Sequence, residues 1–304
     1  MPHSPLFVVG CPRSGTTMIS DLLSNTRFGA PFETHFITKY YKKLNSYAPL
    51  ENPRNFTRLV RDILRERPVM QMKLTVDPLN LYKQTSANYA NLVNVLCKMR
   101  DKTNHNESWG DKTPHYILDL DILHNLFPRS KFIWLIRDGR DVALSLMAKS
   151  WGKKNIYSCA QYWKECNRDT DTKIFLKSNN LLYKVRYEDL IDNPALEISK
   201  LYEFLEEDFD PKALSNLFKD IRRDNKYHWK KRLNKHDVEL FESVAARTLR
   251  KFGYETIHDE RLPSALVKLK YNAHEAFWHT AQLIKQNTIE SARIAYFGKE
   301  PFNE

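Results

Sequence analysis

Cysteine is scarce in this chain of 304 residues, and its spacing suits neither a metal site nor a disulfide framework. The four cysteines are Cys11, Cys97, Cys159 and Cys166, and none of them forms a C-x-x-C pair. Zinc sites and disulfide-stapled domains are built on paired spacings, so the sequence predicts no metal site and reduced thiols, as in a cytosolic protein. Cys11 falls in a loop between two glycines, where a small loop residue is a better interpretation than a nucleophile.

Long apolar runs are also lacking. No stretch of the chain approaches the ~18 consecutive apolar residues of a membrane-spanning helix. No signal peptide precedes the first strand pattern, which begins within ten residues of Met1. These absences predict a soluble, cytoplasmic protein. Whether an N-terminal anchor has been removed ahead of Met1 is left open by the sequence.

Positive charge is abundant but is not gathered into a basic arm. The chain has 48 Lys and Arg against 37 Asp and Glu, a formal net charge of +11. Such an excess attracts anions, among them phosphorylated nucleotides, nucleic acids, acidic glycans and membrane surfaces. The basic residues are scattered, with short clusters such as Lys230 to Arg232. This distribution disfavours a dedicated nucleic-acid binder, and we expect no nucleic-acid partner.

The stretch LFVVGCPRSGTT has most features of the phosphate loop of a P-loop nucleoside triphosphatase, but it lacks the lysine of that loop. The apolar run Leu6 to Val9 predicts a buried strand, and a turn bounded by Gly10 and Gly15 leads into a helical pattern. Backbone N–H groups in such a turn face an anion. Thr16 stands where the lysine is required, and Arg13 places a cation within the loop. A plain tight connection is the alternative. The predicted anion site consists of Pro12, Arg13, Ser14, Gly15, Thr16 and Thr17.

A second segment combines a strand pattern with an arginine and a serine. The apolar run Phe132 to Ile136 predicts a strand buried on both faces of a parallel sheet. Arg137 follows at its carboxyl end, where open α/β sheets bind ligands. Asp138 can cap the next helix, and Ser145 lies about two helical turns after Arg137, so both can face one crevice. Alternatively, Arg137 pairs with Asp138 or Asp141, and Ser145 only fills a small position on the helix.

Strand and helix patterns alternate along the rest of the chain. Apolar residues at helical spacing predict helices over Arg54–Arg67 and Tyr89–Met99, and a long helical stretch over 155–178. A further strand is predicted over Leu181–Arg186. Such alternation is typical of α/β folds with a parallel sheet and right-handed crossovers.

From Leu262 onward the sequence carries a long amphipathic pattern. Apolar residues recur there at intervals of three or four, and Pro263 and Ser264 suit a helix start. A helix packed back on its own domain is the simplest interpretation. A homodimer contact is the second interpretation, and contact with a membrane surface is the third.

Together, the loop and the Arg137 segment resemble the sulfotransferases that use 3′-phosphoadenosine 5′-phosphosulfate (PAPS). In that family a PRSGTT-like loop holds the 5′-phosphosulfate, and an R-x7-S pair, here Arg137 and Ser145, holds the 3′-phosphate. The likeness fits the arginine-loop branch with bacterial and tyrosylprotein members, and it runs from about residue 5 to 256. Further matching motifs are PFETHF at 31–36, WGDKTP at 109–114, LYKVRYEDL at 182–190, HWKKRL at 228–233 and RKFGYE at 250–255.

The resemblance implies a P-loop-like, three-layer α/β fold with a central parallel sheet flanked by helices. It also implies a sulfotransferase domain over residues 1–256. The C-terminal helical extension over residues 257–304 lies outside the resemblance. Golgi members of the family are held by an N-terminal membrane span, which the apolar pattern of this chain does not show.

The resemblance further implies a metal-independent, in-line transfer of a sulfuryl group from PAPS, leaving adenosine 3′,5′-bisphosphate (PAP). A sulfuryl group carries less negative charge than a phosphoryl group, so fixed cations and amides suffice. Arg13 and Lys112 would supply those cations, although Lys112 could instead pair with Asp111 on the surface. By resemblance Glu33 is the predicted general base, since it lies near the position where the arginine-loop branch carries its catalytic glutamate. A carboxylate beside cations also stays ionised and can accept a proton. The alternative bases are His115 and His35.

The sequence says less about the residues that contact the adenosine end of the nucleotide and about the identity of the acceptor. By resemblance, Tyr187 lies near the adenine, and Trp229, Lys230 and Lys231 belong to a flap over the nucleotide; a solvated basic loop is the alternative for this flap. The acceptor could be a carbohydrate, a lipid-linked sugar, a peptide tyrosine or a small metabolite. Two other functions are left open: a variant P-loop kinase, which would need magnesium, and a nucleotide-binding scaffold without catalysis.

Overall fold

The structure is a computed structural model that describes residues 4–24, 26–100, 108–208 and 226–297. These residues divide into two compact units. The first unit contains residues 4–137 and 169–208, and the second contains residues 138–168 and 226–297. The predicted boundary at residue 256 stays a prediction.

The first unit is built on a parallel sheet. In the described part of the chain the sheet has four strands in the order β2-β1-β3-β4. Each neighbouring pair is parallel, with Val8 beside Ile133 and Ile133 beside Tyr183. Their bounds are Leu6–Gly10 for β1, Gly110–Asp111 for β2, Lys131–Ile136 for β3 and Leu182–Arg186 for β4.

Helices connect the strands and make up most of the rest of both units. In chain order they are α1 (Thr16–Leu22), α2 (Phe36–Tyr41), α3 (Pro53–Leu64), α4 (Arg67–Gln71), α5 (Pro78–Thr85), α6 (Tyr89–Arg100), α7 (Leu120–Leu126), α8 (Gly139–Met147), α9 (Ile156–Cys166), α10 (Asp171–Ser178), α11 (Tyr187–Asp192), α12 (Pro194–Leu205), α13 (Trp229–Arg232), α14 (Lys235–Lys251) and α15 (Ala265–Phe297). Short 3₁₀ helices cover Leu44–Tyr47 and Pro114–Leu118.

Both faces of the sheet are covered by apolar side chains of the first unit. On one face, Val8, Ile133 and Val185 belong to a core shared with residues of α1, α11 and α12. On the other face, the ring of Phe7 stacks on that of Phe132, with centroids 5.4 Å apart. Successive residues of a strand point to opposite faces, so continuous apolar runs fit strands that are buried on both sides. The predicted α/β fold with a central parallel sheet flanked by helices is confirmed.

Two predicted helices are interrupted where polar residues or proline intervene. The helix predicted over Arg54–Arg67 ends at Leu64, and α4 begins at Arg67 with a proline in its first turn. The stretch 155–178 is two helices rather than one. The side chain of Asn167 donates to the carbonyl of Trp163 (2.7 Å) at the end of α9. Thr170 caps α10 by accepting from the Lys173 N–H. Such local side-chain bonds compete with helix continuation.

A buried ion-pair network organises the second unit. Arg140 donates to Asp138 Oδ2 (2.8 Å) and to Glu242 Oε1 (2.6 Å), and its guanidinium lies 3.6 Å from the ring centroid of Trp229. Glu242 Oε2 also accepts from the backbone N–H groups of Ile257 and His258. Because a buried charge is tolerated only when it is paired and hydrogen-bonded, this network ties α8, α13, α14 and the segment after α14 together.

The C-terminal helix α15 is attached to the second unit by its polar side. Asn155 donates to the carbonyl of Tyr271 (3.1 Å), and the backbone N–H of Lys154 donates to Glu275 (3.0 Å). The apolar side is turned away from these contacts, and its exposed side chains include Leu266, Leu269, Phe277 and Ile284. The predicted helix is therefore present, and homodimer contact through it stays a prediction. None of the described helices is both long and apolar enough to cross a membrane.

Replacing Arg140 by leucine should lower the free energy of unfolding by about 3–5 kcal/mol, because Asp138 and Glu242 would stay buried without their partner. Chemical denaturation followed by circular dichroism measures the change. Arg168→Leu is the matched control, since it breaks an exposed pair with Glu165 and should cost no more than about 1 kcal/mol. Equal losses for the two variants would contradict the role assigned to the network.

Candidate active site

Each strand of the sheet is followed directly by a segment or residue singled out in the sequence. The phosphate loop follows β1, Lys112 follows β2, Arg137 follows β3 and Tyr187 follows β4. Because the carboxyl ends of parallel strands lie at one edge of the sheet, all four belong to the edge where open α/β folds bind ligands. The first unit thus gathers most of the predicted site.

The phosphate loop has a backbone that only a few residue types tolerate. Gly15, the N-cap of α1, has a φ of 99°, and a Cβ at this position would come within 2.5 Å of the Tyr187 ring. Arg13 also lies in the left-handed region, with a φ of 76°, which is uncommon for a residue other than glycine. The Ser14 side chain is buried, and its Oγ has no hydrogen-bond partner among the described residues. An orphaned donor in the loop fits an anion.

Tyr187 links the loop to Arg137. The Arg137 side chain is only 8% exposed, and its guanidinium lies 4.4 Å from the centroid of the Tyr187 ring. The same ring packs against Gly15. Cation–π contact holds a guanidinium in a defined orientation. The structure therefore brings together three of the predicted nucleotide-binding positions.

The remaining predicted nucleotide-binding residues belong to the second unit. Ser145 is half-buried in α8. Trp229 is buried, and its indole N–H donates to Asp138 Oδ2 (3.0 Å) while its backbone N–H donates to Asp141 Oδ1 (2.8 Å). Lys230 and Lys231 are exposed. Their roles toward a nucleotide stay predictions, and the structure adds an internal packing role for Trp229.

Glu33 and Lys112 form a direct pair. Lys112 Nζ donates to Glu33 Oε1 at 2.6 Å; the lysine side chain is 13% exposed and the glutamate side chain 40%. Their backbones are also joined, because the Lys112 N–H donates to the carbonyl of Phe32 (2.7 Å). The alternative pairing of Lys112 with Asp111 is wrong, since Asp111 is fully buried and bonds to Thr34 and Thr113 instead.

Two cationic or potentially cationic groups control the ionisation of Glu33. Partial burial raises the pKa of Glu33, but hydrogen bonds from His35 and Lys112 together with their charges outweigh it and lower the pKa to about 2. Because the folded-state pKa lies below the ordinary ~4.3, the ionised carboxylate stabilises the fold above about pH 4.3. This contribution is lost as the pH falls through 2. Glu33 is therefore ionised at neutral pH, as expected.

One alternative base, His35, lies beside Glu33, and the other, His115, lies near His35. His35 Nε2 is 2.9 Å from Glu33 Oε2, and the ring of His115 lies 6.4 Å from that of His35. Loss of hydration, and then the neighbouring His35, lower the pKa of His115. The three candidates, Glu33, His35 and His115, thus form one cluster, here called the acid–base cluster. Their positions alone do not identify which of them is the base. In the described part of the chain, no group of three or more His, Cys, Asp or Glu is arranged to hold a metal ion.

Sequence reasoning missed two buried residues on either side of Lys112. Asp111 Oδ1 accepts from the Thr113 N–H (2.8 Å), and Asp111 Oδ2 accepts from the Thr34 N–H (3.2 Å). Burial raises the pKa of Asp111 to about 6, against the hydrogen bonds from Thr34 and Thr113. The D-K-T order in WGDKTP was a usable signal, because Asp and Thr side chains commonly bond to nearby backbone N–H groups.

Comparison with known proteins bears on the family of this chain. A family model described as a sulfotransferase family matches residues 5–211. A putative protein-tyrosine sulfotransferase of Caenorhabditis elegans is 31% identical over 112 residues, which is 34% of this chain and 42% of that protein. Protein-tyrosine sulfotransferase A of the same organism is 23% identical over 231 residues, which is 72% of this chain and 55% of that protein. The chain spans about half the length of these curated relatives.

Among solved structures, the sulfotransferase domain from the Synechococcus PCC 7002 olefin synthase is similar in fold. The two chains superpose with a TM-score of 0.56 at 20% sequence identity, and the match covers 86% of this chain and 96% of that one. At this identity the likeness concerns the fold. The family predicted from the motifs is confirmed by the family model.

Replacing Lys112 by methionine should raise the pKa of Glu33 from about 2 toward ~4.3, because a hydrogen bond and a positive charge are both lost. An NMR titration of the Glu33 carboxyl carbon measures the shift. Lys42→Met is the matched control, since it removes a lysine paired with Asp119 (2.6 Å) and should leave Glu33 nearly unchanged. An unchanged Glu33 in Lys112→Met would contradict the observed pair.

Proposed function

Because this chain belongs to the sulfotransferase family, we propose that it transfers a sulfuryl group from PAPS to an acceptor hydroxyl or amine and releases PAP. The observation that carries the proposal is the position of Tyr187, whose ring packs against Gly15 and lies under the guanidinium of Arg137. Two predicted anion-binding groups thus share one edge of the sheet. A nucleotide with phosphates on both the 5′ and the 3′ oxygen of its ribose requires such a pair.

The donor would be held by residues on both sides of Tyr187. The loop from Pro12 to Thr17 would bind the 5′-phosphosulfate through its amides, Arg13 and the buried Ser14 hydroxyl, which an anion would give a partner. Arg137 with Ser145 would bind the 3′-phosphate. Tyr187 would lie near the adenine. The flap over the adenosine end would consist of Trp229, Lys230 and Lys231.

Glu33 would act as the general base for the acceptor. Bound PAPS supplies the activated sulfuryl group, whose bond to the 5′-phosphate oxygen breaks as the acceptor oxygen bonds to sulfur. The acceptor proton passes to Glu33, while Arg13 and Lys112 neutralise the negative charge of the leaving phosphate and of the sulfuryl oxygens. A lysine drawn to those oxygens leaves Glu33 Oε1, and the pKa of the carboxylate then rises toward that of an effective base. No step of this scheme requires a metal.

The acceptor we propose is the phenolic hydroxyl of a peptide tyrosine. The support is the similarity to two proteins named as protein-tyrosine sulfotransferases. The test is an acceptor screen, in which labelled PAPS is incubated with each class of acceptor. The screen would also reveal a carbohydrate, a lipid-linked sugar or a small metabolite as the acceptor. A kinase is disfavoured because Thr16 occupies the position of its phosphate-loop lysine.

PAP should bind without magnesium, and ADP should bind much more weakly because it lacks the 3′-phosphate. Isothermal titration calorimetry measures both affinities. Arg137→Gln should weaken PAP binding about 10- to 100-fold, as expected for the loss of a hydrogen bond to a charged group. It should leave ADP binding nearly unchanged. Arg65→Gln, at the exposed residue that follows α3, is the control.

Binding of Mg-ATP in place of PAP would sink the sulfotransferase proposal and favour a variant kinase. Activity that disappears in EDTA would point the same way.

Glu33→Gln should lower turnover by about 10²- to 10⁴-fold, the usual worth of general-base catalysis, and should leave PAP binding intact. Turnover is measured with labelled PAPS and a tyrosyl peptide. His115→Gln and His35→Gln are the comparisons, because a larger loss in either would transfer the role of base to that histidine. Wild-type protein that binds PAP but turns over no acceptor of any class would favour the scaffold.

A further inference from the structure

Asp111 and Thr113 bracket Lys112, and both are bonded to the segment that carries Glu33. The Thr34 N–H donates to Asp111 Oδ2 (3.2 Å) and to Thr113 Oγ1 (3.0 Å). Thr113 in turn donates to Asp111 from its backbone N–H (2.8 Å) and from its hydroxyl (3.2 Å). All three side chains are buried. One carboxylate and one hydroxyl therefore hold two segments that are far apart in the sequence.

Further hydrogen bonds hold the segment around Thr34 in place. The hydroxyls of Thr34 and Tyr116 are 2.8 Å apart, and the Ile37 N–H donates to the Tyr116 hydroxyl (3.0 Å). The His35 N–H reaches Thr113 Oγ1 at 3.4 Å. The residues on both sides of Thr34 are Glu33 and His35, two of the three members of the acid–base cluster. Their backbone has little freedom to move relative to Lys112.

Such a constraint matters because Glu33, one partner of the Glu33–Lys112 contact, is partly exposed to solvent. A partly exposed ion pair gains little energy, since holding long side chains in one geometry costs conformational entropy. Glu33 is 40% exposed, so solvent competes for its oxygens. Buried hydrogen bonds to an ionised carboxylate are stronger than bonds between neutral groups. The buried bonds of Asp111 and Thr113 to the Thr34 segment are here called the clamp. The clamp can therefore fix the distance between the backbones of Glu33 and Lys112, which the ion pair alone would not keep.

We propose that Asp111 and Thr113 are positioning residues that hold the backbone segments of Glu33 and Lys112 at the separation that sulfuryl transfer uses. This inference rests on the proposed function, because it assigns Glu33 and Lys112 to the reaction. The clamp itself is an arrangement of atoms that can be tested without turnover. Thr113 offers the cleaner test, since valine has nearly the shape of threonine without the hydroxyl and serine keeps the hydroxyl.

The experiment compares Thr113→Val, Thr113→Ser and Thr85→Val by two readouts. Thr85 is the matched control, because its hydroxyl is also buried and donates to a carbonyl, that of Leu81 (2.7 Å), within α5. NMR titration gives the pKa of Glu33, which reports its contact with Lys112 independently of activity. Steady-state kinetics with PAPS and a tyrosyl peptide gives kcat and KM, and calorimetry gives PAP affinity.

Thr113→Val should raise the pKa of Glu33 from about 2 and lower kcat about 10- to 100-fold, with KM for PAPS and PAP affinity nearly unchanged. Thr113→Ser should restore both readouts, and Thr85→Val should change neither although it loses stability. A Glu33 pKa that stays at its wild-type value in Thr113→Val would overturn the proposal, as would equal effects in Thr85→Val.

Tyr116→Phe keeps the test decisive if Thr113→Val does not fold. It removes the bonds to Thr34 and Ile37, so it should shift both readouts in the same direction by smaller amounts. A folded Tyr116→Phe in which neither readout shifts would overturn the proposal. Failure of the sulfotransferase proposal would appear differently, as absent PAP binding and turnover in the wild-type protein with the Glu33 shift still present.

Discussion

A parallel sheet brings the carboxyl ends of its strands to one edge, and this constraint places nearly every functional group of the first unit. The loop with Arg13, then Lys112, Arg137 and Tyr187 each follow a different strand. Residues separated by more than a hundred positions thus become neighbours without any long side-chain network. The sheet can do this because its two central strands, β1 and β3, are apolar on both faces. Tyr187 fills the gap that remains, between Gly15 and Arg137.

Two carboxylates at this edge are driven in opposite directions by their surroundings. Glu33 is partly exposed, with its pKa lowered to about 2 by His35 and Lys112, which outweigh its burial. Asp111 is buried, and burial raises its pKa to about 6 although Thr34 and Thr113 donate to it. Environments that separate the pKa values of neighbouring acids commonly separate their roles. Here the accessible carboxylate can meet a substrate, while the buried one can only hold protein groups.

The sequence predicted best what depends on local pattern. Apolar runs located β1 and β3, a strand was also predicted where β4 lies, the loop was evident from its glycines and Arg13, and Asp138 was correctly expected to cap α8. What could not be predicted depends on contacts between distant residues. The partner of Lys112 is Glu33 rather than the adjacent Asp111, since backbone pairing at Phe32 turns the two segments toward each other. Likewise, the burial of Trp229 follows from Arg140 and Asp138, which its own motif does not specify.

Backbone strain supports the interpretation that this edge is preorganised. Arg13 and His35 both adopt a left-handed conformation, with φ values of 76° and 54°, although neither is glycine. Residues in this region cost about 1–3 kcal/mol each and persist only where the surroundings determine their conformation. For His35 those surroundings include Thr113, which accepts from its N–H, and Glu33, which lies against its ring. The same bonds that offset the strain also fix Glu33. A backbone held in this way has little reorganisation left to make when charge moves during a reaction, and such preorganisation is the main source of electrostatic catalysis.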